Sequence, residues 1–506
     1  MKRHSRVTDK FWARGGGFII KTGIVLTWVV MMALLAERAL IKPQALRISP
    51  ALAREGLKAG EEWWGVYWKG EKIGWAMTEQ EPRAGKIWVP ERLWLKLALL
   101  GTPQDVEQTL EYSLDQTLTL ESFQFALKSG LFPFQLAGRV QDSPAGPGKR
   151  LILTVSSGGK EQNQEISLPE APFILGQTKH YLVTQGLEKG KKYRIPAFDP
   201  ATLSSAAMTA EVEEIEFLNI GGAERELYRV REDFRGILVK SWIDRNGQIW
   251  KEESPMGLVL LRESRHVAQH QNWSPGKMVD LISLTSIPVN GKITDPRSTR
   301  FLRVLLQSAA LDGLSIEGDR QLRVGREVTV KKEEFPLRSN QQNILERVRL
   351  EALSSTPFIQ SDHPDIQRQA RDIIAGIEDP LEQVKKISAW VYQELRKQPV
   401  VSIPSALDVL RERVGDCNEH SVLFTALVRA IGIPARLQAG IVYQEGKFFY
   451  HAWAQVYLGS WISVDPTLNQ IPADATHIRL VEGDLDKQLD LVKVVGRLKV
   501  EVLEVR

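Results

Sequence analysis

Cysteine is almost absent from this chain. Among 506 residues there is one, Cys417. A lone thiol cannot close an internal disulfide, and there is no cysteine cluster to build a structural zinc site. Histidine is also sparse, at eight residues. His266 and His270 stand at helical spacing, but no acidic or third histidine ligand is adjacent, so no metal ion is expected there and no cofactor elsewhere. Charge of one sign is lacking too. The net charge is +4, and no long basic block lies beyond the N-terminal segment. That removes the electrostatic footprint of a nucleic-acid binder. With no internal repeat and no low-complexity tract, and 43% hydrophobic and 25% charged residues, the chain has an ordinary globular composition. Its length allows two to four domains.

One long apolar run is present. Lys2, Arg3, Arg6, Lys10 and Arg14 precede an apolar stretch from Gly15 to Ala36. At about 1.5 Å per residue, Phe18–Leu35 nearly spans a hydrocarbon core. The basic residues ahead of it place the N-terminus inside and the bulk of the chain outside. The residues before Glu37 lack the small residue that a cleavage site needs three positions back, so an uncleaved signal anchor is expected. This divides the N-terminus into a cytoplasmic basic tail (1–16), a transmembrane anchor (17–36) and a linker (37–60). The address is the inner or cytoplasmic membrane, with the bulk periplasmic or extracellular.

The chemistry concentrates between Ser405 and Thr467. Ser405, with Asp408 three residues on, caps a helix whose apolar face is Leu407, Leu410 and Val414, and Gly415 ends it. Asp416 then caps a second helix, with Glu419 at the capping-box position. Val422, Leu423, Ala426, Leu427 and Ala430 form its buried stripe. Cys417 thus sits in the first turn, where free amides and the helix dipole favour a thiolate. Strands follow. Phe449, His451, Trp453, Gln455 and Tyr457 share one face, and Trp461, Ser463 and Asp465 share another. A thiol, an imidazole and a carboxylate are the parts of a nucleophilic triad. Register decides whether they meet. A two-residue loop pairs Leu458 with Trp461 and turns Asp465 away from His451. A three-residue loop at Leu458-Gly459-Ser460 pairs Tyr457 with Trp461 and sets Asp465 opposite Trp453, diagonal to His451. The triad therefore requires an odd loop or a bulge there. Pro466 ends the strand.

The runs GDCNEHSVLFTALVRAIGIPARLQAGIVY and HAWAQVYLGSWISVDPT resemble the core of the transglutaminase-like superfamily. The resemblance covers about a hundred residues. It implies a papain-like arrangement, a cysteine at a helix N-terminus facing an antiparallel sheet that carries histidine and aspartate. Cys417, His451 and Asp465 fall on its three motif positions. The segment LRKQPVVSIPS, just upstream, holds no aromatic residue to supply a second oxyanion donor.

Elsewhere the texture is β-rich from Glu61 to about Ser264. Segments such as EQTLEYSLDQTLTLESFQFAL alternate, and DRNGQ is a hairpin turn. This predicts a curved antiparallel sheet or half-barrel over 61–265, similar to periplasmic lipoprotein carriers. It reads as a folded spacer, or as a binder of lipid or a protein partner. Trp63, Trp64, Trp68 and Trp75 read as core. Residues 266–355 form a small α+β or β unit in which FLRVLLQSAALDGL is a helix candidate. A helical lead-in from Asp362 opens the catalytic domain, 356–506. His420 reads as structural and His477 as solvated, while Trp453 and Trp461 line the cleft. The fold class is α+β. The expected function is a membrane-anchored cysteine acyl-transfer enzyme acting on peptide or amide bonds of a peptide or protein, with hydrolysis favoured over cross-linking. The rival is a binding or assembly scaffold built on a catalytic-looking core.

Overall fold

Strand-forming sequence dominates residues 60–263. On the strand Lys149–Ser157, Leu151, Leu153 and Val155 are buried and the residues between them are half-buried, the period-2 signature of a sheet with one packed face. In the computed structural model, fifteen such strands make one sheet. The structure describes residues 60–506, apart from 84, 100–101, 130–132, 145, 158–159, 201–203, 255–256, 271–285, 309–310, 336–343, 399–401 and 404. The expected basic tail, membrane anchor and nearly all of the linker lie outside the described residues. Among those that are described, no helix is long and apolar enough to cross a membrane.

The strand Gly60–Trp68 lies inside the large sheet, between Glu71–Arg83 and Leu258–Glu263. From the first neighbour the chain meanders out to the edge strand Lys160–Leu168. From the second it traces back to the other edge, Phe173–Ile174. The Lys160–Leu168 edge carries exposed Glu161, Asn163, Gln164 and Glu165, which discourages further strand pairing. The two halves bend toward each other, with the Phe123 and Phe198 rings 5.4 Å apart. Trp63 and Trp64 are buried, and Trp63 packs 5.3 Å from Trp75 beside Met77 and Ala268. They are core residues.

This sheet encloses a charge cluster. Lys179 lies 3.4 Å from Glu232 and also bonds Glu252. Ser241 donates to Glu232 at 2.9 Å, and Tyr112 donates to half-buried Glu91 at 2.7 Å.

The C-terminal half begins with capped helices. Pro364–Ile373 is capped by His363, whose Nδ1 accepts from Asp365 N. Pro380–Glu394 is capped by Asp379 and Ala406–Glu412 by Ser405. The third helix stops earlier than Gly415. Arg413 takes a left-handed conformation (φ 54°), and Val414–Gly415 pairs with Arg396–Lys397 instead. Helix Cys417–Ala430 follows. Its Leu423, Ala426 and Leu427 enter one apolar cluster with Ala435, Leu437, Ala454 and Val456 of the adjoining sheet. That sheet runs Ser286–Ile287, Lys447–Tyr457, Ala435–Gln444, Ile478–Glu482, with Trp461–Val464 also on Lys447–Tyr457.

A second sheet places Lys499–Val505 between Val289–Asn290 and Phe301–Gln307. Residues 301–307 are a strand rather than the expected helix. Leu302, Val304 and Leu306 are buried in alternation, and this two-residue period outweighs a helical reading of the same apolar run. Ile287, Leu302, Val304 and Val330 share one cluster with Ile441, Phe448, Ile478 and Val500. Residues 286–331 therefore pack as part of the body that carries the site.

Candidate active site

The cysteine helix is held at its start by polar contacts. Asn418 N donates to Asp416 Oδ1 at 3.0 Å, and Asp416 N donates to Glu419 Oε2 at 2.8 Å, completing a capping box. Ser402 Oγ donates to Glu419 Oε1 at 2.5 Å. Gly415 is required for this approach. Its φ is 156°, and a Cβ there would lie 2.2 Å from the Cβ of Glu419. Cys417 is the first residue of the helix and is partly exposed. Ser421 Oγ donates to Ala452 O at 3.1 Å, and the thiol lies within hydrogen-bond reach of the Ala452 backbone. Both contacts anchor the helix start beside His451.

The strand register is the one that a triad requires. Tyr457 pairs with Trp461 and Ala454 with Val464 across the three-residue loop Leu458-Gly459-Ser460. Regular pairing stops at Val464, and Asp465 makes an isolated bridge with Gln470. In this register His451 Nε2 and Asp465 Oδ2 are 2.8 Å apart. The second carboxylate oxygen accepts from Thr467 N at 2.8 Å and Leu468 N at 2.9 Å.

His477 is a further member that the sequence reading placed in solvent. It is fully buried. Its Nε2 lies 2.9 Å from Asp465 Oδ2 and its Nδ1 3.2 Å from Asp474 Oδ1. Asp474 is itself fixed by Thr476 N and Thr476 Oγ1. The Trp453 ring stacks on His451 at 6.3 Å and meets His477 edge-on at 5.4 Å. Trp461 stands away from this group, against Tyr457 and under the Arg436 guanidinium. His420 is buried, with Nδ1 2.6 Å from Asp416 O and no partner for Nε2 among the described residues. His266, in the short helix Arg265–Gln269, stacks at 5.4 Å on His270, the residue that caps its C-terminus.

Burial and charge set the protonation states. Burial works to raise the Asp465 carboxyl, but His451 and His477 outweigh it and hold it well below the usual carboxylate range. Burial works to lower His477, and the bonds and charges of Asp465 and Asp474 overcome it, pushing it up to about 9. Asp474 is depressed to about 2, its own burial outweighed by His477 and Thr476. The thiol departs from expectation. Burial pushes Cys417 well up, the Asp416 charge adds to this, and the Ala452 backbone bond only partly opposes them. The capping carboxylates that build the helix start thus work against a standing thiolate. His451, Asp465 and His477 are close enough to hold a metal ion. Both Nε2 atoms, however, already share one carboxylate oxygen as hydrogen-bond partners.

Residues 367–466 match the family description "Transglutaminase-like superfamily". The C-terminal part of the chain carries a transglutaminase-like domain. A curated relative, an uncharacterized protein of Mycobacterium leprae, is 29% identical over 106 residues, 19% of this chain. The chain spans 37% of that relative's length. Among solved structures, similarity extends to a candidate cysteine protease from Cytophaga hutchinsonii, with 20% identity and TM-score 0.27 over 44% of this chain and 85% of that one. A β-barrel-like protein from Brucella abortus has 10% identity and TM-score 0.32, over 40% of this chain and 94% of that one. A candidate protease from Parabacteroides distasonis has 10% identity and TM-score 0.20, over 68% and 69%. The transglutaminase-like domain thus contains Cys417, His451 and Asp465, while His477 lies just beyond the matched residues.

Proposed function

We propose that the transglutaminase-like domain is a cysteine acyl-transfer enzyme that opens peptide or amide bonds through a thioester. The observation that carries this reading is the His451 Nε2–Asp465 Oδ2 contact at 2.8 Å, beside a helix that begins at Cys417. With Nε2 bound to the carboxylate, Nδ1 of His451 is the basic nitrogen. It takes the thiol proton as the sulfur attacks the carbonyl carbon. The C–N bond then breaks, and the same nitrogen returns the proton to the leaving amine. The backbone N–H of Cys417 is an oxyanion donor. Because burial and Asp416 hold the proton on sulfur, His451 acts as a general base during attack. Water as acceptor gives hydrolysis, the favoured outcome. The apolar stretch 17–36 would fix the enzyme to the membrane, with the β-rich region as spacer or as the seat of a lipid or protein partner.

An activated ester such as p-nitrophenyl acetate tests this on the full-length chain. The expected result is a nitrophenolate burst and an acetyl adduct on Cys417 by intact mass. The adduct is absent in Cys417→Ala and forms about 10²–10⁴-fold more slowly in His451→Ala. Adding a primary amine separates transfer from hydrolysis by the fate of the adduct. An adduct that never forms, or whose rate ignores His451, would sink the enzyme reading and leave the scaffold.

A further inference from the structure

The fourth member of the buried group has a role that the triad does not need by itself. Both nitrogens of the His477 ring face carboxylate oxygens, Asp465 Oδ2 at 2.9 Å and Asp474 Oδ1 at 3.2 Å. A neutral imidazole has one N–H and would meet one carboxylate with a lone pair. Two anionic partners are satisfied together only if both ring nitrogens carry protons. The ring is fully buried, so water does not screen its charge. Asp465 then has four donors: His451 and His477 on one oxygen, Thr467 N and Leu468 N on the other. No free lone pair is left to turn the carboxylate away.

We propose that His477 is a positioning residue, a fixed buried imidazolium that pins Asp465 and offsets its charge as His451 sees it. This rests on the proposed Cys417–His451 chemistry. The physical argument is one of balance. A lone buried aspartate favours the charged form of the imidazole it orients. A cation on the far side of the same oxygen weakens that pull while keeping the orienting bond. Asp474 is what keeps the cation in place, since it stabilises the His477 charge from behind. Of the other charged groups around the cluster, Arg297 donates to Leu468 O at 3.4 Å and Arg479 is paired with Asp319 and Glu482. Arg320, from the turn before the strand Gln321–Val324, donates to Ala473 O at 2.9 Å and to Asp474 O at 2.5 Å. It is paired with Glu333 at 2.8 Å. At the start of the cysteine helix, Asp416 and Glu419 act on the thiol, and Asp465 reaches both Cys417 and His420 electrostatically. Lys397 approaches His420 from the segment before that helix. None of these bonds a His477 ring nitrogen.

The test is the pH profile of Cys417 acylation by p-nitrophenyl acetate in the full-length chain. Removing the fixed cation with His477→Gln makes the pair hold its first proton more tightly. The acid limb of the profile is expected to move up by about one pH unit. Asp474→Asn, which lets His477 lose its charge, is expected to move the limb the same way by less. A purely structural His477 would lower the plateau rate or the folded fraction and leave the limb where it is. That result in either folded variant overturns the proposal. The parent protein gives a check that needs no variant to fold. With ring-labelled histidine, and only eight histidines to resolve, the His477 signal is expected to stay doubly protonated at pH 8. A ring that loses its proton near pH 6.5 would overturn the proposal as well. Failure of acylation itself, with a doubly protonated His477 intact, would indict the enzyme reading, and with it the role of His477 toward His451, while leaving the buried imidazolium standing.

Discussion

Two of the buried charge clusters among the described residues are built inside out from each other. In the large sheet, Lys179 is surrounded by carboxylates, with Glu232 at 3.4 Å and Glu252 bonded beside it. In the transglutaminase-like domain, Asp465 is surrounded by imidazoles, His451 at 2.8 Å and His477 at 2.9 Å. Both satisfy the rule that buried charge must be paired. Only one sits beside a nucleophile. In the lysine cluster the cation is met by two carboxylates, Glu232 and Glu252. The aspartate cluster leaves one nitrogen over, Nδ1 of His451. A buried ion cluster becomes machinery when its accounting leaves a single group unspent.

The sharpest way to break the comparison is to remove the central charge from each. Asp465→Ala is expected to slow Cys417 acylation about 10³–10⁴-fold. Lys179→Met is expected to leave the rate per folded molecule unchanged. Each should cost about 3–5 kcal/mol of stability by denaturant titration, since each strands a buried opposite charge. A rate loss in Lys179→Met would mean that the two clusters are coupled.

Shortening the loop tests geometry without touching any charged side chain. Deleting Gly459 shifts the pairing by one residue and turns Asp465 to the other face. Acylation should fall about 10²–10³-fold, while a substitution at the same place, Gly459→Asn, should keep most of it. Retained activity after the deletion would show that Asp465 does not need this register.

The clusters should also part company with pH. The folded value of His477 is about 9, above its ordinary 6.5, so folding tightens its proton. Its contribution, roughly 3 kcal/mol, is complete below pH 6.5 and fades as pH rises through 9. Asp474 is depressed to about 2, so its contribution holds above about pH 4 and is lost as pH falls toward 2. Equilibrium unfolding between pH 6 and 10 should show the first slope, and His477→Gln should flatten it. Smallest is Ser405→Ala, which removes the cap of Ala406–Glu412 and should cost about 1 kcal/mol with acylation intact. A larger loss would mean that the Ser405–Asp408 contact, at 2.7 Å, matters beyond capping.

What could be read in advance follows from how local each signal is. The capping box at Asp416 and Glu419 is written within four residues, and it forms as expected. The three-residue loop could be deduced because a parity argument links Tyr457, Trp461 and Asp465 once His451 is fixed. His477 could not be found that way. Its burial comes from strand Ile478–Glu482 joining Ala435–Gln444 and from Arg320 reaching Asp474, contacts that span about 40 and 150 positions of chain. The available hint was Asp474 and Thr476 ahead of the apolar Ile478 and Leu480, a fixed turn leading into a buried strand. The strand Phe301–Gln307 was missed for a related reason. A run of mixed apolar residues fits two periods, and its partner Lys499–Val505 lies near the other end of the sequence. The raised Cys417 thiol was hidden because its burial depends on the whole fold, and because the same Asp416 that signals a helix start also opposes the thiolate.

The large sheet carries one more consequence. Every strand pairing in it joins sequence neighbours except one, Gly60–Trp68 with Leu258–Glu263. Folding of this region therefore reduces to two local zippers and a single long closure. Loop entropy grows only logarithmically, so the closure is not much costlier than a shorter one would be, but it is slow because it waits for both zippers. Until Trp63 meets Glu263, two open backbone edges face each other across a stretch of chain with no partner. Crowded or overheated preparations would be expected to exchange partners at that seam first.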